Sequence, residues 1–242
     1  LTIKNSLIYS NPSNIHGAII FKGNTHNLYN TTIANNDGGV CKIGVVAGAG
    51  NTYLTNTIVS GHSGYNIDIT SGMVFVDHSL IQGGAESIHT LYAASLKWNT
   101  GNLTADPLFV DPANGDYHLS ADSPCIDKGT EVDAPATDLD GTIRPRGAGF
   151  DMGAYEAYLP VQLVAWSPGT TSQTTPTLDW NDVAGAVQYL LQYSRVSNFL
   201  EKVEVPGLTS SAYTIASALT DGDLFWRVAA FDADGKSGWW SR

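Results

Sequence analysis

The sequence predicts an all-β chain, a parallel β-helix joined to an antiparallel β-sandwich, on three observations. One phrase of alternating apolar and polar residues occurs four times before residue 85. Charged residues make up only 14%, while Asn, Thr, Ser and Gly abound, a mixture that suits strands and tight turns and is poor for helices. From Val161 onward the rhythm changes to short strands separated by turns.

The phrase reads Ile3-Lys4-Asn5-Ser6-Leu7-Ile8, Leu28-Tyr29-Asn30-Thr31-Thr32-Ile33 and Leu54-Thr55-Asn56-Thr57-Ile58-Val59, with an altered copy Val76-Asp77-His78-Ser79-Leu80-Ile81. Its third position advances by 25, 26 and 22 residues. A period in the twenties marks a solenoid whose units bury their apolar faces against each other. A second strand is expected ten to thirteen residues past each Asn or His: Val40-Cys41-Lys42-Ile43, Asn66-Ile67-Asp68-Ile69 and Ile88-His89-Thr90-Leu91. That register stacks Ile43, Ile69 and Leu91, and points Cys41 inward with Ile67. Asn35-Asn36-Asp37-Gly38-Gly39, Gly48-Ala49-Gly50-Asn51 and Ser60-Gly61-His62-Ser63-Gly64 supply the positive-φ residues of corners. Strand, corner, strand, corner, stacked about 4.8 Å apart, is a parallel β-helix. Asn5, Asn30, Asn56 and His78 then form a structural corner ladder, each amide bonding the next rung.

This stretch resembles the right-handed parallel β-helix repeats of the pectate-lyase-like superfamily. The resemblance implies a right-handed, single-stranded solenoid. It admits polysaccharide lyases, hydrolases and epimerases as well as adhesins and inert scaffolds. Lyases of this shape use clustered acids, calcium and an Arg or Lys base; hydrolases use neighbouring carboxylates. Residues 1–100 hold four acids, four lysines and no arginine. Lys42 and Asp68, at equal distance past their Asn residues, are the catalytic candidates, and a surface ion pair on adjacent rungs is the plainer reading.

After Gly83-Gly84 the pattern changes. Asp106-Pro107-Leu108-Phe109-Val110-Asp111-Pro112, Asn114-Gly115-Asp116-Tyr117-His118-Leu119, Ser123-Pro124-Cys125-Ile126-Asp127-Lys128-Gly129, Asp138-Leu139-Asp140-Gly141, Arg144-Pro145-Arg146 and Phe150-Asp151-Met152-Gly153-Ala154-Tyr155-Glu156 follow. Together they look like the C-terminal module of choice-of-anchor Q domain-containing β-helix proteins, a resemblance that carries over no catalytic residues. Physically, a terminal unit of different sequence is expected to cover the open end of the solenoid. An Arg–carboxylate bridge from Arg144 and Arg146 to Asp151 and Glu156 is expected to hold it. No cofactor is called for, with calcium as the candidate ion at Asp138 and Asp140, although the full calcium-loop pattern is absent.

Beyond Val161, strands are expected at Val161–Trp166, Thr177–Trp180, Val187–Tyr193, Lys202–Val205, Ala212–Ile215 and Leu224–Phe231. Leu178-Asp179-Trp180, Tyr189-Leu190-Leu191-Gln192-Tyr193, Leu219, Phe225-Trp226-Arg227-Val228-Ala229-Ala230 and Trp239-Trp240-Ser241 look like a fibronectin type III domain. Trp180 and Trp226 are its expected core aromatics, one from each sheet. Phe225 stands where that fold often has its corner tyrosine. Trp239 and Trp240 are candidates for stacking on sugar rings, at most one of them free because neighbours in a strand face opposite ways. The domains are therefore 1–158, rungs and capping segment, and 159–242, a sandwich expected to be truncated.

The net charge of −11 is concentrated in residues 101–160, which sum to −8, so no basic stripe exists to meet nucleic acid. No apolar run approaches the roughly 18 residues of a membrane span. Cys41 and Cys125 read as buried thiols rather than a bridge. The preferred expectation is a non-catalytic, secreted or cell-surface protein whose partner is a surface or matrix polysaccharide. A polysaccharide lyase or glycoside hydrolase is the alternative. Leu1 opening inside a rung and Arg242 preceding a last strand point to further domains of the same chain at both ends.

Overall fold

The computed structural model describes residues 1–11, 18–36, 45–91, 93–157, 163, 174–183, 185–233, 235, 237, 240 and 241. The chain divides into two compact units, Leu1–Ala157 and Tyr158–Arg242, and it is all-β.

In the first unit, β1 (Thr2–Tyr9), β2 (Ile19–Phe21), β3 (Thr25–Ala34), β4 (Val45–Ala47), β5 (Asn51–Thr55), β6 (Ile58–Ser60), β7 (Ile67–Ile69), β8 (Gly72–Asp77), β9 (Leu80–Ile81), β10 (Ile88–Thr90) and β11 (Ala94–Trp98) wind into a parallel β-solenoid. The first sheet stacks β1, β3, β5, β8 and β11 in order, the second halves of β1 and β3 carry on into β6 and β9, and another sheet runs β2-β4-β7-β10. Each rung thus has three faces rather than the two expected from sequence. Leu28, Leu54 and Val76 fill one inward column, Ile33, Val59 and Ile81 a second, and Val45, Ile67 and Ile88 a third. All are buried. Stacking like on like removes each residue's apolar surface from water, worth about 1.5–3 kcal/mol per large side chain.

Three corners turn the chain, each by a left-handed residue: Asn5, Asn30, Asn56, His78 and Gly101 at the first; Ser10, Asn35, Gly61 and Gly83 at the second; Asn24, Gly50 and Gly72 at the third. Asn tolerates this backbone better than other L-residues because its short amide bonds locally. The first and second corners are always five residues apart, and the third always precedes the first by six in the rungs that β3, β5 and β8 open. As far as β10, only the stretch from the second corner to the next strand varies, from nine residues before Val45 to four before Ile88; the β11 rung adds one residue between Thr90 and Ala94 and another between Trp98 and Leu103. That variation overturns the fixed offset expected for the second strands. Ile69 lies between Ala47 and Thr90, not between Ile43 and Leu91. Leu91 is 41% exposed, and Cys41, Lys42 and Ile43 fall outside the described residues. The rung opened by β11 also went unread, because Gly101 stands where the phrase has Asn or His.

Residues 105–157 meet the solenoid along its first corner, from Asn5 to Asn56. They carry a hairpin of β12 (Phe109–Asp111) and β13 (Asp116–Leu119) and then return as an irregular strap along the first corner, as far back as Lys4 and Asn5. The corner amides and neighbouring carbonyls need partners, and the strap's main chain supplies them.

The second unit has two antiparallel sheets. One pairs β14 (Thr177–Asp179) with β17 (Ala212–Thr214); the other orders β16 (Lys202–Leu208), β15 (Gln188–Ser194) and β18 (Phe225–Phe231). Between them lie Leu178, Trp180, Leu191, Ile215 and Val228. Trp180 is almost fully buried, with its ring centroid 6.3 Å from that of half-buried Trp226. Ser237 bridges to Phe231, and Ser241 N–H donates to Val228 C=O at 2.8 Å, so these two residues meet β18.

Candidate functional site

The corner ladder faces the strap. Asn56 Nδ2 donates to Asn30 Oδ1 at 3.2 Å, the one rung-to-rung link among the described ladder residues. The other bonds go to the strap. Asn5 Nδ2 donates to Thr137 C=O and Asn30 Nδ2 to Asp151 C=O, while Asn56 meets Thr130 through both its amide atoms. Gly153 fits against Thr32 and Ile58 at φ +92°; a Cβ there would lie 2.7 Å from each. His78 keeps the left-handed corner and sets Nδ1 3.2 Å from Asp77 Oδ1. A second ladder escaped the sequence reading although its period is the same. Asn11 donates to Asn36 Oδ1, Asn36 Nδ2 lies 3.3 Å from His62 Nε2, and His62 Nδ1 lies 2.9 Å from Asn66 Oδ1.

Asp68 sits on the outer face of β7, in register with Val46 of β4 and His89 of β10. Its partner is His89, whose Nδ1 lies 2.8 Å from Asp68 Oδ1. Tyr65 stacks on the imidazole, 5.0 Å between centroids and 17° between planes. The longer stretch before Val45 sets Val46, not Lys42, beside Asp68. The signal for His89 was the 21-residue step from Asp68, which matches the step from Ile67 to Ile88. A carboxylate at Nδ1 fixes the imidazole tautomer on a side chain that is 41% exposed, an arrangement suited to proton transfer.

Asp138 is buried, and backbone N–H groups occupy its oxygens: those of Asp140 and Thr142 on Oδ1, and that of Glu156 on Oδ2. Asp140 instead reaches His118. The His118 ring stands between two carboxylates, Nδ1 2.6 Å from Asp116 Oδ1 and Nε2 2.9 Å from Asp140 Oδ2, with the Tyr155 ring 4.0 Å away. Partial burial by itself would lower the His118 pKa. The bonds and charges of Asp116 and Asp140 outweigh it and raise the pKa above its ordinary value. Among the described residues, no three His, Cys, Asp or Glu side chains are grouped to hold a metal.

Arg144 is buried and donates to Glu156 Oε2 at 2.5 Å and to Gly153 C=O at 3.0 Å, while Arg146 N–H donates to Glu156 Oε1. Asp151 accepts from the N–H groups of Asp127 and Ala157. Burial, then the Glu156 charge, raises its pKa. The strap is thus held by an ionic core of its own. Cys125 is a free, buried thiol in it, its pKa pushed up to about 12 by desolvation.

In the second unit, Arg227 lies between the rings of Phe199 and Trp240, 4.3 and 4.4 Å from their centroids, and donates to Gln192 Oε1. One face of Trp240 is therefore taken by a guanidinium rather than open to a sugar. Trp239 lies outside the described residues. A cavity of about 420 Å³ is lined by Tyr193, Val203, Leu219 and Leu224 beside Arg195, which donates to the carbonyls of Thr220, Gly222 and Asp223.

No family model matches the chain, and no curated protein matches it. Among solved structures, the crystal structure of an Fn3-like protein from Clostridium thermocellum is similar at 24% identity, over 36% of this chain and 82% of that one, with a TM-score of 0.27.

Proposed function

We propose that the chain is a non-catalytic scaffold of an exported surface or matrix protein, with a surface or matrix polysaccharide as its partner. In this reading the solenoid is of the pectate-lyase-like kind, the strap is a choice-of-anchor Q type module, and the second unit is a fibronectin III-like spacer. The observation that supports it is where the aligned polar residues go. Asn5, Asn30 and Asn56 spend their amides on strap carbonyls, and Asp138, Asp151 and Glu156 spend their oxygens on backbone N–H groups and Arg144. Groups consumed in this way hold a fold together. The test incubates the purified chain with a panel of acidic and neutral polysaccharides, following new reducing ends and unsaturated uronates. Retention on a glycan array without turnover is the expected result.

One observation favours the second reading, a polysaccharide lyase or hydrolase acting on a groove along the solenoid: Asp68 orients His89 on an outer face. Turnover that disappears in both Asp68→Ala and His89→Ala would establish that reading and overturn the first.

A further inference from the structure

We propose that β11 is a pairing edge for a second copy of this chain, the two strands running antiparallel about Leu96. On one side β11 pairs with β8, Ala94 to Trp98 against Gly72 to Val76. In a parallel pair, alternate residues turn both main-chain groups toward the same neighbour. Asn99 N–H donates to Val76 C=O, so Asn99, Lys97 and Ser95 face β8. Ala94, Leu96 and Trp98 face the other way, where no strand pairs with them among the described residues; the Ala94 N–H donates to Leu91 C=O, so Ala94 offers its C=O alone.

The side chains at this edge agree with the main chain. Leu96 points inward but is only partly buried, Trp98 is 38% exposed, and Leu91 is exposed beside them. The strap, which the sequence led us to expect here, bonds along the first corner, and among the described residues it adds no strand to β11. Unpaired N–H and C=O groups above an unfinished apolar interior fit another β-strand.

That the strand is the same strand follows from self-complementarity. Antiparallel pairing about Leu96 lets each Leu96 exchange both hydrogen bonds with its counterpart, and each Trp98 N–H meets the C=O of Ala94 in the other copy. Large Trp98 then lies over small Ala94, and Lys97 opposes Ser95, so no like charges stand directly opposite. A two-fold axis through Leu96 keeps inward side chains on the same face in both copies, so the apolar interior continues across the joint.

Ser95 and Lys97 of the two copies form a non-hydrogen-bonded pair, with Cα atoms about 4.5 Å apart, which disulfide geometry accepts. The full chain carrying Ser95→Cys and Lys97→Cys in a Cys41→Ser background is expected to cross-link into a dimer on mild oxidation, and Ser95→Cys alone to cross-link far less. The parent chain should sediment as a concentration-dependent dimer. Trp98→Asp, with circular dichroism unchanged, should sediment as a monomer. A parent chain that stays monomeric at every concentration overturns the proposal. So does a dimer that persists in folded Trp98→Asp while the double cysteine variant fails to cross-link. Should Trp98→Asp lose its fold, the cross-link decides alone.

Discussion

Asn56 and Thr130 exchange two hydrogen bonds across 74 residues of chain: Thr130 N–H donates to Asn56 Oδ1 at 2.8 Å, and Asn56 Nδ2 donates to Thr130 C=O at 2.7 Å. Asn56 is buried and left-handed, so one side chain both makes the corner and docks the strap. Asn56→Ala leaves the Thr130 groups unpaired and forces Ala into a disfavoured backbone. The expected loss is about 2–4 kcal/mol. Asn56→Gly removes the backbone strain and should cost less. Urea denaturation of the two variants, followed by circular dichroism, checks the order, and equal losses would assign the whole effect to the lost bonds.

Gly153→Ala tests the same docking from the strap side. The new methyl would meet the side chains of Thr32 and Ile58 and would sit at φ +92°, so a loss above about 2 kcal/mol is expected. A thermal midpoint unchanged from the parent would mean that the strap does not pack there in solution.

The Arg144–Glu156 pair should behave as a buried unit. Arg144→Met strands the Glu156 carboxylate and should cost about 3–5 kcal/mol, whereas Arg144→Met with Glu156→Leu should cost less than the single change. A double-mutant cycle by chemical denaturation gives the coupling; additive losses would mean no pairing.

Raising the pH should loosen the strap at His118. Only the imidazolium can donate to Asp116 and Asp140 together. Because its folded pKa is raised, the contribution is complete below about pH 6.5, the ordinary value for His, and is lost as pH rises through the folded value. The ring is 44% exposed, so screening should hold the effect under about 1 kcal/mol. His118→Gln should flatten this limb of stability against pH, and an unchanged slope would remove the clasp from the account.

Cys125 offers a reporter for strap opening. As a buried thiol with a pKa of about 12, it should resist a thiol reagent in the native Cys41→Ser chain and react on unfolding. Fast native labelling would show the strap detached.

The solenoid was legible because stacking repeats the same chemistry at the same spacing, so Asn5, Asn30 and Asn56 announce themselves. Gly101 holds the same corner without an amide to mark it, so the β11 rung was missed. Strand register on the β4–β7–β10 face was misread because one stretch of each rung varies in length, and no local pattern reports that length. Thr130, Thr137 and Asp151 lie about 74 to 132 residues from the corner amides they engage. They act through main-chain carbonyls, which every residue has, so composition cannot single them out. The five strands expected from Thr177 onward were read within a few residues, and the one expected at Val161–Trp166 lies outside the described residues apart from Leu163; the place of Trp240 against Arg227 needed the sheet that brings them together.

The one elastic stretch in each rung, between the second corner and the strand that follows, has a practical meaning. As far as β10 the other segments keep their length from rung to rung, stacked on the rung before. In the elastic stretch the chain already accommodates four to nine residues with the strands still in register. Foreign peptides could be grafted there, one per rung, and shown in a row about 4.8 Å apart.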